Sequence, residues 1–264
     1  MQDFGFHRPA DVKGALASLK KAAEGKYLAG GQSLIPVMKL GLAAPSDLVT
    51  LSGLAELKGL RLEGRELVIG AGVTHAEVAE SAEVKKAIPT LCELAGHIGD
   101  AQVRNRGTLG GSLAHNDPAA DYPAAVLGLG ATVQTDRRRI AADAYFKGLF
   151  QTALEPDEII VQVRFPVPER AAYAKFPHPA SRFALVGVMV AKGAGGIRVA
   201  VTGAGPGVYR SAELEHALQA RFAPEALASV TVPSTGLTSD AFGSAEYRAH
   251  LVGVLARRAV AACR

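Results

Sequence analysis

The spacing of apolar residues predicts an irregular succession of short strands and helices in the first third of the chain. One helical face is indicated by apolar residues three and four positions apart, Val12, Ala15, Leu16 and Leu19. A strand is predicted over residues 26–29, a brief helix over 34–40 and a hairpin over 60–72. Thr74 and Glu77 have the spacing of a capping box, which predicts the start of another helix.

The middle of the chain contains a long segment without an apolar period. A helix is predicted over about residues 84–98, and residues 99–123 then contain many Gly, Asn, Asp and Pro residues. This composition predicts a loop. Loops of this length inside a compact domain are usually functional, so the segment is a candidate binding region.

The second half of the chain is predicted to be rich in strands and to end in a helix. Strands are expected within residues 131–167 and over 184–190 and 197–202, and helices over 214–222 and 244–262. The apolar face of the last helix is predicted to contain Tyr247, Leu251, Val254 and Leu255. Pro166 and Pro168 indicate a boundary between domains. This mixture is typical of an α+β fold rather than a regular βαβ array.

Composition narrows the function classes. The 264 residues suit one large domain or two smaller ones, and 48% hydrophobic residues allow a substantial core. Only 6% of the residues are aromatic, which disfavours a stacking platform for single-stranded nucleic acid. The net charge of +4 is spread along the chain. Its densest cluster, residues 137–139, is interpreted as a solvated hairpin tip rather than a phosphate patch.

Cysteine usage and hydropathy favour the cytoplasm. Cys92 and Cys263 are the only cysteines and lie far apart, so neither a disulfide framework nor a metal or iron–sulfur site is expected. Residues 1–4 lack a basic stretch followed by an apolar one, so no export signal is expected. The most apolar stretch, residues 123–133, is too short and too rich in glycine to span a bilayer.

Two segments with paired glycines are the candidates for ligand binding. Gly30 and Gly31 lie between a predicted strand and a predicted helix, where backbone amides can meet an anion. Ser33 is expected either to cap that helix or to reach a phosphate. By itself this loop is equally compatible with an ordinary strand–helix turn.

The second glycine pair, Gly110 and Gly111, is followed within ten positions by hydroxyl, imidazole, amide and carboxylate side chains. We expect its amides to approach a pyrophosphate and its polar neighbours to meet sugar-like hydroxyls. Both glycine pairs are therefore expected to present main-chain amides to one diphosphate.

Two common nucleotide motifs are excluded. A Rossmann fingerprint would start at Gly70 or Gly203, but the third glycine position holds His75 or Val208. A P-loop fails because Gly25-Lys26 is followed by Tyr27 instead of Ser or Thr. Nicotinamide and ATP are therefore disfavoured as the primary ligand.

At this point the chain resembles a known family. Residues 29–36, Ala-Gly-Gly-Gln-Ser-Leu-Ile-Pro, and residues 108–112, Thr-Leu-Gly-Gly-Ser, resemble the two flavin motifs of the medium subunits of molybdenum hydroxylases of the carbon monoxide dehydrogenase and xanthine dehydrogenase type. The resemblance extends over nearly the whole chain, through residues 102–107, 117–121, 152–160, 174–176 and 246–248.

The resemblance implies an FAD-binding domain of the vanillyl-alcohol-oxidase type over residues 1–168, with subdomains of about 1–55 and 56–168, and a smaller C-terminal α+β domain over 169–264. It also implies two partners, a small subunit with two [2Fe–2S] clusters and a large subunit with the molybdenum cofactor, arranged as a dimer of heterotrimers. In such a complex this chain would pass electrons from the clusters through FAD to an external acceptor. It would lie in the cytoplasm or at the inner face of the membrane, without a transmembrane segment or nucleic acid partner.

The resemblance also implies which residues contact FAD. No catalytic residue and no metal ligand are implied, since the cofactor supplies the chemistry. Lys175 matches a position near the flavin ring, where it would stabilise negative charge on reduced flavin, and a snorkelling surface lysine is the competing interpretation. The predicted cofactor-binding residues are Leu28, Ala29, Gly30, Gly31, Gln32, Ser33, Leu34, Ile98, Gly99, Val103, Gly107, Thr108, Gly111, Ser112, Ala114, His115, Ala120, Asp121, Ile160 and Lys175.

Some residues depart from the family pattern or keep two interpretations. Phe183 stands where a Tyr is common near the ring, Arg182 where an acidic residue is common, and His178 between two prolines is unusual. Arg104 and Arg106 are expected either to steer the FAD phosphates or to contact the iron–sulfur partner. Two alternatives for the whole chain are a self-contained flavin oxidase or reductase of the same fold and a flavin-free nucleotide-binding or structural module.

Overall fold

The computed structural model describes residues 2–264 and begins with a small parallel sheet. Its three strands are β1 (Gly5–His7), β2 (Gly25–Leu28) and β3 (Asp47–Thr50), with β3 in the centre. Between them lie helices α1 (Val12–Lys21) and α2 (Leu34–Lys39), close to the predicted ranges. Residue 1, at the start of the segment in which no export signal was expected, lies outside the described residues.

The second sheet has five antiparallel strands and carries most of the helices. Its hairpin is β4 (Leu60–Glu63) and β5 (Glu66–Gly70), as predicted. Six helices follow, α3 (His75–Glu80), α4 (Ala82–Ala87), α5 (Pro89–Gly96), α6 (Ala101–Arg106), α7 (Leu109–His115) and α8 (Asp121–Gly128). The remaining elements are β6 (Thr132–Thr135), β7 (Arg139–Ala141), α9 (Ala142–Tyr145), the ribbon β8 (Phe146–Gly148) and β9 (Gln151–Thr152), and β10 (Ile160–Pro166). The strand order is β4-β5-β10-β6-β7.

The third sheet is antiparallel and is covered by the C-terminal helix. Its strands, in spatial order, are β11 (Arg170–Pro177), β12 (Ala184–Gly193), β13 (Gly196–Thr202) and β14 (Tyr209–Arg210). Helices α10 (Ala212–Ala220) and α11 (Ala245–Ala262) follow. Short 3-10 helices occur at Ala55–Leu57 and Pro224–Leu227. The predicted α+β character is confirmed.

The second and third sheets share part of one apolar core. The largest core joins the second sheet to helices α3, α5, α7 and α8, and it includes Met189 and Ala200 of the third sheet. A second core lies between the third sheet and helices α10 and α11. Within residues 2–264, no helix is long and apolar enough to cross a membrane.

The predicted helix over residues 84–98 is wrong in its continuity. The structure has two helices there, α4 and α5, separated at Ile88, whose φ of −142° and ψ of 79° are not helical. Pro89 causes the break, because the proline ring disfavours the helical conformation of the residue before it. Proline then occupies the first position of α5, where its missing N–H has no cost.

The predicted loop over residues 99–123 is also wrong. It contains helices α6 and α7 and the start of α8. Each of the first two has a polar cap, since the Asp100 carboxylate accepts from the amide of Val103 and the Thr108 hydroxyl from that of Gly111. These helices are too short for an apolar period to emerge, and their caps were the available signal.

Two smaller expectations need correction. Strand β11, which was not predicted, pairs along its whole length with β12. On α11, Leu251 and Leu255 are buried, but Tyr247 is exposed and does not belong to the buried face. Residues 137–139 do lie at the tip of the β6–β7 hairpin, yet Arg138 is not simply solvated, because it pairs with the buried carboxylate of Glu158 at 2.8 Å.

Candidate functional site

A cleft of about 950 Å³ lies where the loops after β2, α5 and α6 meet. Its walls bring together every predicted cofactor-binding residue except Lys175. Their contact with a cofactor stays a prediction. Several further residues also line the cleft, namely Tyr27, Thr74, His75, Asp100, Asn105, Arg106, Asp117 and residues 180–183. Apart from Arg106, Arg182 and Phe183, these were not singled out near the cofactor, because local motifs do not reveal which distant segments fold against them.

The first glycine loop, residues 29–34, leaves consecutive amides without acceptors. Among residues 2–264, the main-chain N–H groups of Gly30, Gly31, Gln32 and Ser33 find no hydrogen-bond partner. Gly31 has a φ of +74° and Ser33 is in the right-handed helical region. Successive amides in such alternating conformations form a concave nest that attracts anions.

Gly30 is required by close packing at this loop. A Cβ added to Gly30 would overlap the carbonyl oxygen of Arg106 and approach the Cα of Gly107 within 2.8 Å. The first glycine loop therefore rests directly on the end of α6. Ser33 stands at the N-cap position of α2 but makes no side-chain cap, so the first of its two expected roles is wrong and contact with a phosphate stays a prediction. Its hydroxyl is exposed at the cleft.

The second glycine turn, residues 107–112, differs from our expectation. The amide of Gly110 donates to the carbonyl oxygen of Ala71 at 2.8 Å, and the amide of Gly111 donates to the Thr108 hydroxyl at 3.0 Å. These amides are therefore occupied inside the protein, and the expectation that both glycine pairs offer free amides is wrong. The physical reason is that the Thr108 hydroxyl caps α7 by accepting from the Gly111 amide, while the main chain of Ala71 packs against the turn and accepts from the Gly110 amide.

The glycines of the second turn serve backbone packing instead. A Cβ on Gly110 would lie 2.6 Å from the Cβ of Ala71, and one on Gly107 would lie 2.6 Å from Nε2 of His75. Both distances are far below van der Waals contact. The second glycine turn therefore lines the cleft with its backbone surface and with the side chains of Thr108 and Ser112. The first glycine loop contributes unpaired amides.

His75 packs against the second glycine turn at Gly107. Its ring is 5% exposed, packs on Tyr122 with ring centroids 5.3 Å apart, and leaves Nδ1 without a hydrogen-bond partner. Burial, assisted by the charge of Arg104, lowers the pKa of His75 to about 4. The imidazole is therefore neutral at pH 7 and serves as a packing group rather than a general base.

Asp121, at the start of α8, belongs to a buried polar network at one end of the cleft. Its carboxylate accepts from Nζ of Lys175 at 2.9 Å and from the Tyr173 hydroxyl at 2.5 Å. Lys175 also donates to the carbonyl oxygen of His97 at 3.1 Å. Gly187, opposite Lys175 in the sheet, makes room for this network, since a Cβ there would overlap the Tyr173 hydroxyl.

The network corrects one interpretation of Lys175. Its side chain is 4% exposed, so it is not a snorkelling surface lysine. Burial raises the pKa of Asp121, and Lys175 and Tyr173 act in the opposite direction. Removing one member of a buried pair leaves an uncompensated charge at a cost of about 3–5 kcal/mol, so the network holds α8 firmly against β11.

The two arginines of α6 have different environments. Arg104 donates through Nη1 to the carbonyl oxygens of Ile98 at 3.1 Å and Gly99 at 3.3 Å, which closes the turn between α5 and α6. Arg106 lines the cleft, and its guanidinium makes no ion pair within residues 2–264. Arg106 is thus a candidate cation for an anionic ligand, and its main chain packs against the first glycine loop.

These features define a class of protein. The cleft combines an anion nest, polar side chains and apolar walls, and its size lies within the range of small-molecule and cofactor sites. The close approach of backbone that Gly30 allows, the open amides of its loop and the unpaired Arg106 fit a diphosphate, and a volume of about 950 Å³ leaves room for a dinucleotide. The residues present therefore fit FAD.

The comparisons with known proteins agree. A family model described as the FAD binding domain in molybdopterin dehydrogenase matches residues 2–168. The nicotine 6-hydroxylase medium subunit of Paenarthrobacter nicotinovorans is 37% identical over 97% of this chain and 95% of its own length. The carbon monoxide dehydrogenase medium chain of Hydrogenophaga pseudoflava is 34% identical over 97% of this chain and 96% of its own.

Structural similarity extends over the same length. A solved structure of carbon monoxide dehydrogenase from Hydrogenophaga pseudoflava, in a form lacking the Mo-pyranopterin moiety of the molybdenum cofactor, matches with a TM-score of 0.90 and 35% identity. The match covers 99% of this chain and 97% of that one. The chain therefore belongs to the family of FAD-binding medium subunits of molybdenum hydroxylases. The resemblance, the fold class and the FAD assignment are confirmed.

Proposed function

We propose that this chain binds FAD noncovalently in the cleft and transfers electrons between an iron–sulfur partner and an external acceptor. The observation that carries this proposal is the run of four unpaired amides at Gly30 to Ser33, in a loop that packs on the main chain of the cleft-lining residue Arg106. When bound, FAD would accept and donate electrons at its ring, and the protein supplies position and electrostatics.

The first glycine loop would hold the diphosphate. Its amides satisfy phosphate oxygens without any rearrangement, because they have no competing acceptor in the protein. Ser112 and Ala114 would line the opposite wall, and Asp121 would meet sugar-like hydroxyls. The carboxylate of Asp121 is held in one orientation by Tyr173 and Lys175, so it offers a fixed acceptor.

Electron transfer suits the side chains of the cleft better than a complete organic reaction does. His75 is neutral and buried beneath the second glycine turn, and Asp121 is engaged by a cation. A self-contained oxidase or reductase would need a proton donor or acceptor free to move toward a substrate. These two groups are instead fixed by packing and pairing, which supports the electron-transfer role.

The proposal extends to assembly and location. We infer that the chain works beside a small subunit with [2Fe–2S] clusters and a large molybdenum subunit, as a dimer of heterotrimers in the cytoplasm or at the inner face of the membrane. The names of the relatives, medium subunit and medium chain, support a multi-subunit complex. We also propose the division into an FAD domain over residues 1–168 and a C-terminal domain over 169–264.

A titration and a co-purification test this function. We expect the purified chain to take up one FAD per chain, to release it intact on denaturation, and to oxidise no organic substrate by itself. Isolation from the native host should recover it with iron–sulfur and molybdenum proteins. A folded chain that binds no FAD, or that turns over a defined substrate alone, would contradict the proposal.

A further inference from the structure

The cleft mouth loop, residues 178–183, joins β11 to β12 and lines one end of the cleft. Phe183 is 47% exposed, and residues 180–183 all face the cleft. Immediately after the loop, the amide of Ala184 donates to the carbonyl oxygen of Ala119 at 3.2 Å. This bond places the loop beside Ala120 and Asp121, at the end of the cleft with the buried network.

His178 organises this loop through its imidazole. Nδ1 lies 3.2 Å from the amide nitrogens of both Ala180 and Ser181. Both groups are donors, so Nδ1 acts as the acceptor and the ring proton resides on Nε2. The backbone of His178 also exchanges hydrogen bonds with the loop end, donating to the Phe183 carbonyl at 2.7 Å and accepting from the Arg182 amide at 2.9 Å.

The loop backbone needs this support. Arg182 has a φ of +61°, a left-handed conformation that a residue with a side chain adopts only when surrounding contacts hold it. The Phe183 amide adds a bond to the Ser181 hydroxyl at 3.3 Å. Most of these bonds involve His178, so the orientation of Phe183 depends on it.

A residue of the C-terminal region, Phe242, packs against the imidazole of His178. The ring of Phe242 meets the imidazole edge-on, with centroids 4.3 Å apart and an interplanar angle of 86°. Phe242 lies in a turn whose amides donate to Asp240, and Asp240 pairs with Arg248 at 2.7 Å. Arg248 is buried on α11 and donates to the carbonyl oxygen of Leu185, near the start of β12.

We propose that His178 is a positioning residue that orders the cleft mouth loop and thereby fixes Phe183 at the mouth of the cleft, against the bound cofactor. Phe183 then provides an aromatic cover over that part of the cofactor. The inference rests on the proposed function, because it requires FAD in the cleft.

Trypsin provides the test, because Arg182 lies within the loop. We would compare the wild-type chain with His178→Ala and His178→Gln, and with His250→Ala on the exposed face of α11 as the matched control. The readouts are the rate of cleavage after Arg182, with and without saturating FAD, and the visible absorption band of the bound flavin.

His178→Ala should increase the cleavage rate about tenfold, since two hydrogen bonds to the imidazole are lost. His178→Gln should restore resistance to within about twofold of wild type, because its side-chain oxygen can accept the same amides. His250→Ala should match wild type. FAD should slow cleavage of the wild-type chain, and the flavin band should shift in His178→Ala and return in His178→Gln.

The possible failures are distinguishable. If FAD binds but neither protects the loop nor changes its band among the variants, the positioning role is wrong while the proposed function stands. If His178→Gln is cleaved like His178→Ala, or if His178→Ala is cleaved like wild type, the imidazole does not order the loop. A folded wild-type chain that takes up no FAD contradicts both the proposed function and the cover.

Discussion

The first glycine loop and the second glycine turn share nearly the same residues but use their glycines differently. In residues 29–34 the glycines leave amides free and bring the loop onto Arg106. In residues 107–112 the amides of Gly110 and Gly111 are already bonded inside the protein. Paired glycines therefore indicate only that another group approaches the backbone closely. The capping of the following helix decides whether that group is a ligand or another part of the chain.

The difference depends on the residue at each helix start. Thr108 is extended, with φ −119° and ψ 155°, so its hydroxyl reaches the amide of Gly111. Ser33 has φ −108° and ψ −53°, a conformation in which its hydroxyl makes no cap. An extended N-cap satisfies the helix internally, whereas a helical one leaves the first amides open to a ligand.

The largest effect should come from Gly30→Ala. The added Cβ would overlap the carbonyl oxygen of Arg106, so the first glycine loop must move and its amides lose their alignment. We expect FAD affinity to fall about 1,000-fold, roughly 4 kcal/mol, from the loss of two or three hydrogen bonds to a charged group. Fluorescence or calorimetric titration with FAD would measure the change.

Gly195→Ala is the matched control for that variant, because a Cβ there meets nothing within 4 Å and φ is not positive. The apo chain of Gly30→Ala should lose some stability, because the loop must move off the carbonyl of Arg106, and urea unfolding measures this loss separately from FAD affinity. Unchanged FAD affinity in Gly30→Ala would contradict the claim that the first glycine loop binds the diphosphate through its amides.

Acid should affect the second glycine turn through His75. Its pKa is about 4 when folded and 6.5 ordinarily, so the unfolded chain binds the proton first as the pH falls. Stability contributed by the neutral ring is complete above pH 6.5 and decreases toward pH 4, by about 3 kcal/mol. Urea unfolding across this range should show that loss.

His75→Gln separates this contribution from those of the carboxylates. Its unfolding free energy should decrease less than that of wild type between pH 6.5 and 4, because glutamine does not titrate. Equal pH slopes in the two proteins would show that His75 is protonated without cost, contrary to its burial.

The two helix starts should respond differently to loss of a hydroxyl. Thr108→Ala removes the cap of α7 and should lower the free energy of unfolding by about 1 kcal/mol. Ser33→Ala removes no cap, so stability should stay unchanged while FAD affinity decreases about fivefold. Paired urea unfolding and FAD titration would measure both. Destabilisation by Ser33→Ala would mean that the first glycine loop is capped after all.

The smallest effects should distinguish the two arginines. Arg106→Ala removes a cation from the cleft and should weaken FAD binding by about fivefold or less at physiological salt, with a weaker salt dependence than wild type. Arg104→Ala should mainly loosen the turn at Ile98 and Gly99 and lower stability. FAD titration at two salt concentrations, with a pull-down of the iron–sulfur partner, would separate a phosphate role from an interface role.

Much of the fold followed from apolar spacing and local signals. The capping box at Thr74 and the long helix after Ser244 were predictable because their signals lie within a few residues. The segment 99–123 was not, since helices α6 and α7 have six and seven residues and rely on caps. Helix α5 was joined to α4 because the apolar period continues through the proline break.

The parts of the candidate site that lie within short sequence motifs were predictable. The parts formed by contacts between distant segments were not. The two glycine segments converge on one cleft as expected, but the occupied amides of the second turn depend on Ala71, far away in sequence. Lys175 finds Asp121 across 54 positions, and no local pattern indicates this pairing. The role of His178 likewise depends on Phe242, which only the folded C-terminal region brings near.

Hydrogen exchange of the backbone amides tests the central claim most directly. Without FAD, the amides of Gly30 to Ser33 should exchange rapidly, because they have no acceptor, while those of Gly110 to Ser112 should already be protected. With saturating FAD, the first group should become protected and the second should change little. If FAD left Gly30 to Ser33 unprotected, or protected Gly110 to Ser112 instead, the assignment of the diphosphate to the first glycine loop would be wrong.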